Sequence, residues 1–183
     1  QIIEAGVSFN TSTSDSPIIM DANDRAIKSG MNLSKTFKLV KEVIKETKTD
    51  TCFVLMTYLN PVVVYGIKKF INNCNSVGIA GVIIVDGSLN SPEEKMLING
   101  LSKKNIGYTK IISPTNDDKF IQQSIKNCKN SGVDGLIVVD LPYPENKMFA
   151  KKCKKKSISF IQLLAPTTTK ERMKKIISSS HEM

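Results

Sequence analysis

The feature that most constrains the fold of this chain is a regular alternation of short apolar runs with longer amphipathic stretches. The runs are rich in Ile and Val, and the stretch between the first two carries Phe37, Val40, Val43 and Ile44 at helical spacing behind a candidate N-cap at 31–34. This order is typical of βα units around a parallel sheet. We therefore predict six parallel strands, each followed by a helix. The strands are residues 2–7, 52–57, 81–85, 108–112, 135–139 and 159–164, and the other helices are 17–29, 65–76, 92–104, 117–130, 144–156 and 170–179.

The chain also resembles itself at a shift of 54 residues. Ile71-Asn72-Asn73-Cys74 and the following Gly78 to Asp86 recur as Ile125-Lys126-Asn127-Cys128 and Gly132 to Asp140. Residues 111–115 recur as 163–167 at a shift of 52. Similar βα units would share apolar patterning, but shared Cys, Gly and Asp at fixed offsets favour a duplication of 71–115 as 125–167 within one domain. We expect the second copy, 135–139, to take the place beside strand 52–57.

Composition excludes several function classes. The 26 Lys and Arg against 17 Asp and Glu give 26 − 17 = +9, but only Arg25 and Arg172 are arginines and Trp is absent, so the lysines indicate a solvated surface rather than nucleic-acid readout. Four cysteines without a CxxC pair and the single His181 cannot build a zinc cage or a Cys/His catalytic pair. We expect no metal or cofactor, free thiols and a cytoplasmic location, since neither a membrane-length apolar run nor an export signal is visible.

Glu4 is the most informative polar residue, because it lies within the apolar run Ile2-Ile3-Glu4-Ala5-Gly6-Val7. A carboxyl group among apolar neighbours either finds partners or has its pKa raised, which suits a general acid or base near neutral pH. The alternative is a strand carboxylate that faces solvent at a sheet edge.

Other polar residues follow the predicted strands, where ligands of parallel βα proteins bind. Asp15 or Ser16 is favoured as a helix N-cap before Pro17, with ligand binding by Asp15 as the alternative. Tyr58, after the second strand, is either a ligand contact or a packing residue. Asp86 and Asp140 are favoured as anchors of loop backbone.

An ordered set of motifs resembles the tryptophan synthase alpha chain family. The set covers most of the chain and comprises Ile3-Glu4-Ala5-Gly6-Val7-Ser8-Phe9, Asp15-Ser16-Pro17, Met56-Thr57-Tyr58-Leu59-Asn60-Pro61, Gly132 to Pro142 and Leu164-Ala165-Pro166-Thr167-Thr168.

The resemblance implies a TIM-type (β/α)8 barrel, incomplete here, that cleaves indole-3-glycerol phosphate to indole and glyceraldehyde 3-phosphate in tryptophan biosynthesis. Glu4 matches the family's proton-transferring carboxylate, and Asp15 matches the carboxylate that binds the indole nitrogen. The expected apolar slot for indole is lined by Phe9, Met56, Tyr58, Ile137 and Val139.

The departures from the family pattern bear on partners and completeness. The family loop that contacts the beta chain reads Pro-Phe-Ser-Asp-Pro, whereas this chain has Ser8-Phe9-Asn10-Thr11-Ser12, which puts coupling to a tryptophan synthase beta chain in question. The resemblance also implies that the first strand and the last strands, with their phosphate-binding loops, lie outside these 183 residues. Two alternatives stay open: another phosphate-sugar barrel enzyme of amino-acid biosynthesis, and a non-catalytic relic or subunit-binding module of the same fold.

Overall fold

The computed structural model describes residues 1–10, 15–47, 50–113, 117–139, 141 and 143–178. The chain forms two compact units, Gln1–Tyr108 and Thr109–Met183. In the described ranges, no helix is both long enough and apolar enough to cross a membrane.

The first unit is built on three parallel strands with β2 in the centre. The register pairs Glu4 of β1 with Val54 of β2, and Val54 with Gly81 of β3. The elements in chain order are β1 (Ile2–Gly6), α1 (Pro17–Lys28), α2 (Leu33–Thr47), β2 (Cys52–Thr57), α3 (Leu59–Tyr65), α4 (Ile67–Val77), β3 (Ile79–Ile84) and α5 (Pro92–Ser102).

The second unit repeats this arrangement around a central β5. Thr109 of β4 pairs with Gly135 of β5, and Gly135 pairs with Ser159 of β6, all in parallel. The boundary between the units falls inside β4. The elements in chain order are β4 (Gly107–Ile112), α6 (Asp118–Asn130), β5 (Gly135–Val138), α7 (Glu145–Lys155), β6 (Ser159–Ile161) and α8 (Lys170–Ile177).

Alternation along β2 separates a buried face from a half-open face of the sheet. Phe53, Leu55 and Thr57 are buried, whereas Val54 and Met56 are half-buried. Successive side chains of a strand point to opposite faces, so the buried set marks the face that the helices cover. Each fully buried Leu of this kind stabilises the fold by about 1.5–3 kcal/mol relative to an exposed one. The other face, which carries Val54 and Met56, is left for a site.

Three of the helices end in the same way. The N–H groups of Ile106, Val133 and Ile158 donate to the carbonyl oxygens five residues earlier, at 3.1, 3.0 and 3.1 Å. The residue before each has a positive φ: Asn105, Gly132 and Ser157. This is the Schellman ending, in which a left-handed residue turns the chain and the next apolar residue packs back on the helix. This ending places a buried apolar residue one or two positions before the strand that follows.

The predicted strands and fold class agree with the structure. All six predicted strands are present and parallel within their units, and each is followed by a helix. The differences lie at the ends: β3 begins two residues earlier than predicted, and β6 ends at Ile161 rather than at residue 164. The predicted helix 65–76 is preceded by a separate helix, α3, which the sequence analysis did not anticipate.

The expected place of the second repeat copy is wrong. The strand beside β2 is β3, from the first copy, and β5, from the second copy, lies between β4 and β6. Short βα connections make strands that follow one another in sequence neighbours in space, so both copies are taken up in chain order.

Candidate functional site

The half-open face of the first unit brings candidate residues together in two layers. Glu4, Val54 and Gly81 share one register level, and Gly6, Met56 and Ile83 share the level two residues further along the strands. Two residues of a parallel strand advance about 6.6 Å. Glu4 and Met56 therefore lie on the same face, on neighbouring strands, one layer apart.

Glu4 combines exposure with a perturbed carboxyl group. The residue retains solvent-exposed surface, and β1 has one neighbouring strand, β2, in its unit. Partial burial of the carboxyl group raises its pKa above the usual 4.5, because the charged form loses hydration. The pKa of Glu4 is thus raised, as expected from its apolar neighbours. Glu4 also lies at a sheet edge, as the alternative interpretation expected. A carboxyl group in this state can both give up and accept a proton closer to neutral pH.

An aromatic pair forms an apolar wall where β1 and β2 end. The rings of Phe9 and Tyr58 are tilted by 39° with centroids 5.2 Å apart, a geometry favourable for aromatic pairs. The Val7 N–H donates to the Met56 carbonyl at 2.9 Å and extends the strand pairing to this point. Tyr58 is only 5% exposed, whereas Phe9 and Met56 are half-buried. Phe9 therefore packs against Tyr58, which follows Met56 by two residues.

Asp86 fixes the turn that carries Tyr58. Tyr58 is the N-cap residue of α3, and the next N–H group, of Leu59, donates to Asp86 Oδ1 at 2.7 Å. A carboxylate that accepts from the first turn of a helix satisfies a backbone donor that the helix itself leaves unpaired. The predicted anchoring role of Asp86 is confirmed, and Asp140, its repeat counterpart, lies outside the described residues.

Asp15 is held at the start of α1. Ser16 occupies the N-cap position with Pro17 directly after it, as predicted, although the Ser16 side chain makes no capping hydrogen bond. The Asp15 carboxylate accepts from Asn23 Nδ2 at 3.2 Å, so α1 orients it from its second turn. Between these two described residues, Glu4 and Asp15, no hydrogen bond is formed.

Ile137 and Val139 belong to the second unit. Ile137 is on β5 and Val139 directly follows this strand, with Val138 between them. Because successive side chains of an extended chain point to opposite faces, the side chains of Ile137 and Val139 lie on the same face. Ile137 is 5% exposed, and Val139 is half-buried with its N–H donating to the Ile112 carbonyl at 3.3 Å. Both residues lie at the carboxyl end of β5, where ligands of parallel βα proteins bind.

One buried polar pair was missed by the sequence analysis. Glu94, in the first turn of α5, is fully buried and accepts a hydrogen bond from the Tyr108 hydroxyl at 2.5 Å. Its N–H also donates to Ser91 Oγ at 3.2 Å. The spacing Ser91-x-x-Glu94 is that of a capping box, which concerns the N-cap and does not indicate that the Glu side chain is buried.

A cleft of mixed polar and apolar lining in the second unit was also not anticipated. It has a volume of about 740 Å³ and lies between the residues that follow β6 and helix α8. On one side, Asn146 Nδ2 donates to Gln162 Oε1 at 2.5 Å, and Gln162 Nε2 donates to the Ile176 carbonyl at 3.2 Å. Thr168 and Arg172 line the other side. No spacing in the sequence signals this cleft, because its lining residues come from α7, β6 and α8.

The first-unit site combines a carboxyl group with apolar side chains. Within the described ranges, no group of three His, Cys, Asp or Glu residues could hold a metal ion. This face therefore offers the Glu4 carboxyl and, further along the strands, the side chains of Phe9, Met56 and Tyr58.

Comparison with known proteins identifies one consistent family. The family model for the tryptophan synthase alpha chain matches residues 1–128 and, in a second match, residues 121–182. A curated tryptophan synthase alpha chain from Pelagibacter ubique (strain HTCC1062) is 38% identical over 182 residues, which are 100% of this chain and 48% of that protein. The chain thus spans about half the length of this relative.

Solved structures show the same fold. The tryptophan synthase complex from Pyrococcus furiosus aligns with a TM-score of 0.78 at 20% identity, over 97% of this chain and 72% of that chain. Tryptophan synthase subunit alpha from Legionella pneumophila str. Paris aligns with a TM-score of 0.78 at 24% identity, over 98% of this chain and 66% of that chain. These neighbours are TIM-type barrels, so the predicted fold class, a TIM-type (β/α)8 barrel of which six βα units are present, is confirmed.

Proposed function

Because the chain belongs to the tryptophan synthase alpha chain family, we propose that it acts in the cleavage of indole-3-glycerol phosphate to indole and glyceraldehyde 3-phosphate. The observation that carries this proposal is the position of Glu4. Its carboxyl group, with a raised pKa, belongs to a residue on the same sheet face as Met56 and one layer from it, and Phe9 and Tyr58 pack together where β1 and β2 end. A proton-transfer group next to a flat apolar surface is what cleavage of an indole–carbon bond requires.

The proposed reaction assigns one role to each carboxylate. Protonated Glu4 first gives its proton to indole C3, and the resulting Glu4 carboxylate then removes the proton of the glycerol hydroxyl next to the bond that breaks. The electrons of the broken bond return to the ring, and the hydroxyl becomes the aldehyde of glyceraldehyde 3-phosphate. Asp15 accepts a hydrogen bond from the indole N–H, which grows more acidic in the C3-protonated tautomer. The bond between Asp15 and Asn23 supports this role because it orients the carboxylate.

The apolar slot supplies binding and orientation. Phe9, Met56 and Tyr58 offer an apolar surface in the first unit, and Ile137 and Val139 offer apolar side chains at the carboxyl end of β5 in the second unit. Burial of an aromatic ring of indole size on such side chains favours binding by about 25 cal/mol for each Å² of apolar surface removed from water. Tyr58 is held for this purpose by the bond between Asp86 and the N–H of Leu59.

The test is indole release by the gene product that carries this sequence. We expect the parent protein to release indole from indole-3-glycerol phosphate, and we expect Glu4→Gln to lower kcat by a factor of about 10² or more, since general acid–base catalysis contributes about 10²–10⁴. Glu46→Gln, at an exposed position of α2, is the matched control and should keep the parent rate. Absence of indole release by the parent, or full activity of Glu4→Gln, would show that the catalytic assignment is wrong.

A second candidate, a binding module for a tryptophan synthase beta chain, is favoured by α1. This helix has no buried residue, and Ile18 and Ile19 are 78% and 48% exposed. One solved neighbour is described as an a2b2 tryptophan synthase complex from Pyrococcus furiosus. A protein that retains a beta chain in a pull-down but releases no indole would favour the binding module, whereas indole release lost in Glu4→Gln favours the enzyme.

A further inference from the structure

Five lysines line one cleft between α6 and α7. On α6, the residues Lys119, Gln122, Gln123 and Lys126 have the spacing i, i+3, i+4 and i+7, which places them on one face of the helix. On α7 and just after it, Lys152, Lys155 and Lys156 have the spacing i, i+3 and i+4. Together with the buried Ile125, these seven residues line a cleft of about 530 Å³, here called the lysine cleft.

This convergence of positive charge opposes folding. Like charges at i, i+4 on a helix, such as Lys152 and Lys156, destabilise it by a few tenths of a kcal/mol. Lys119 lies in the first turn of α6, where the helix dipole disfavours a cation. Within the described ranges, Lys119, Lys126, Lys155 and Lys156 form no ion pair. The dipole at the end of α7 favours lysines there, but it gives no reason for Lys119 and Lys126 to face them.

We propose that the lysine cleft binds a small polyanion that carries several linked phosphate groups. Lysine binds phosphate as a point charge, and several ammonium groups around one volume match several adjacent phosphates. The amide side chains of Gln122 and Gln123 supply further polar groups, and the Gln123 amide is oriented by its hydrogen bond to Asn127 Oδ1 at 2.7 Å.

The lining residues favour a small ligand over a nucleic acid. Among the described residues that line the cleft there is neither an aromatic side chain for stacking bases nor an arginine fork for reading them. The volume falls in the range of about 300–1,000 Å³ that small-molecule sites occupy. The cleft lies wholly in the second unit, whereas Glu4 and Asp15 lie in the first, so this proposal stands independently of the proposed catalytic site.

Calorimetric titration with inorganic tripolyphosphate at low ionic strength tests the proposal. The cleft variant replaces Lys126, Lys155 and Lys156 with Gln. The matched control replaces the exposed Lys41, Lys95 and Lys104 of the first unit with Gln. Both triple variants change the net charge from +9 to 9 − 3 = +6, so a difference between them reports the cleft and not the total charge.

We expect the parent protein to bind tripolyphosphate and the cleft variant to bind it at least about tenfold more weakly, with the control within about threefold of the parent. Inorganic monophosphate should bind more weakly than tripolyphosphate, because it meets fewer lysines at once. Equal losses in the two triple variants, or no heat of binding at about 1 mM ligand, would overturn the proposal. So would a single-stranded oligonucleotide that binds more tightly than tripolyphosphate and depends on the same three lysines. Far-UV circular dichroism of all three proteins establishes that each is folded.

Discussion

The partial burial of the Glu4 carboxyl group affects both the stability of the fold and the proposed proton transfer. An ionised carboxyl group that is partly removed from water is held in an unfavourable state, and the raised pKa expresses this. The same property makes the group useful for proton transfer near neutral pH. We therefore expect Glu4 to lower the free energy of unfolding at the same pH at which it supports activity.

The linkage between the pKa of Glu4 and folding gives a prediction with a definite sign. Between the usual value of 4.5 and the raised value, the folded protein holds more protons on Glu4 than the unfolded chain does, so the free energy of unfolding falls as pH rises through this window. Gln cannot ionise. We therefore expect Glu4→Gln to be more stable than the parent at pH 7, by about 0.5 kcal/mol or less for so exposed a group, and equally stable at pH 4.

Urea denaturation at the two pH values measures this difference. Glu46→Gln, on the exposed face of α2, controls for loss of one negative charge and should not reproduce the pH-dependent gain. A Glu4→Gln variant that is less stable than the parent at pH 7 would show that the ionised carboxylate is stabilised in the folded protein, contrary to the raised pKa.

At the residue scale, sequence reasoning succeeded where one local rule decided the outcome. The apolar neighbours of Glu4 indicated its raised pKa, and the position of Asp86 after a strand indicated its anchoring role. It failed for Glu94, whose partner Tyr108 lies 14 residues away on β4. Whether a first-turn carboxylate faces solvent or the core depends on which strand packs against the helix, and a local pattern does not contain that information.

At the scale of elements, the ends of the helices define where strands begin. The left-handed residue after a helix fixes the direction of the chain, and Gly adopts this conformation without the steric cost that other residues pay. Gly78 and Gly132, which are 54 positions apart, have φ values of 85° and 80° after α4 and α6. Equivalent positions of the two proposed repeat copies thus have equivalent backbone conformations.

Substitution of these glycines tests the equivalence. We expect Gly78→Ala and Gly132→Ala each to lower the free energy of unfolding by about 1 kcal/mol, because a Cβ atom at positive φ is strained. Nothing lies within 4 Å of a Cβ at Gly78, so strain rather than a clash is measured there. Gly6→Ala, where φ is ordinary and the space is also open, is the control and should change stability little. Thermal denaturation of the three variants gives the comparison, and unequal effects at Gly78 and Gly132 would contradict the equivalence.

The elements themselves were largely predictable from periodicity, and the exception has a physical reason. The segment that forms α3 contains Pro61 and three consecutive valines, which favour extended structure over helix. Pro61 nevertheless falls in the first turn, where its missing N–H is not needed, and Gly66 at φ 95° separates α3 from α4. Propensity argued against this helix, and the anchoring of its first turn by Asp86 was not visible in local sequence.

At the scale of the whole molecule, both the sequence and the family match indicate an internal repeat. The family model matches twice, over residues 1–128 and 121–182, which is what a chain with a duplicated segment would produce. The apolar helix residues Ile71 and Cys74 and their counterparts Ile125 and Cys128 are all buried. We therefore propose that residues 125–167 duplicate residues 71–115. The expectation that the second copy would displace the first was wrong because it ignored chain order, which governs the pairing of strands joined by short connections.

Removal of one repeat unit tests the duplication directly. Deletion of residues 71–124 joins Phe70 to Ile125, so the buried positions of α6 continue the apolar stripe of α4 without a break. We expect this variant to fold and to unfold in one cooperative transition, measured by circular dichroism on heating. The control deletes residues 71–126 and joins Phe70 to Asn127. Removal of two further residues rotates the remaining part of the helix by about 200° relative to α4 and brings Cys128 to the exposed position of Asn72. We therefore expect this variant to lose its cooperative transition. If the two deletion variants unfold alike, or if only the variant that lacks residues 71–126 folds, residues 71–124 are not a repeat unit.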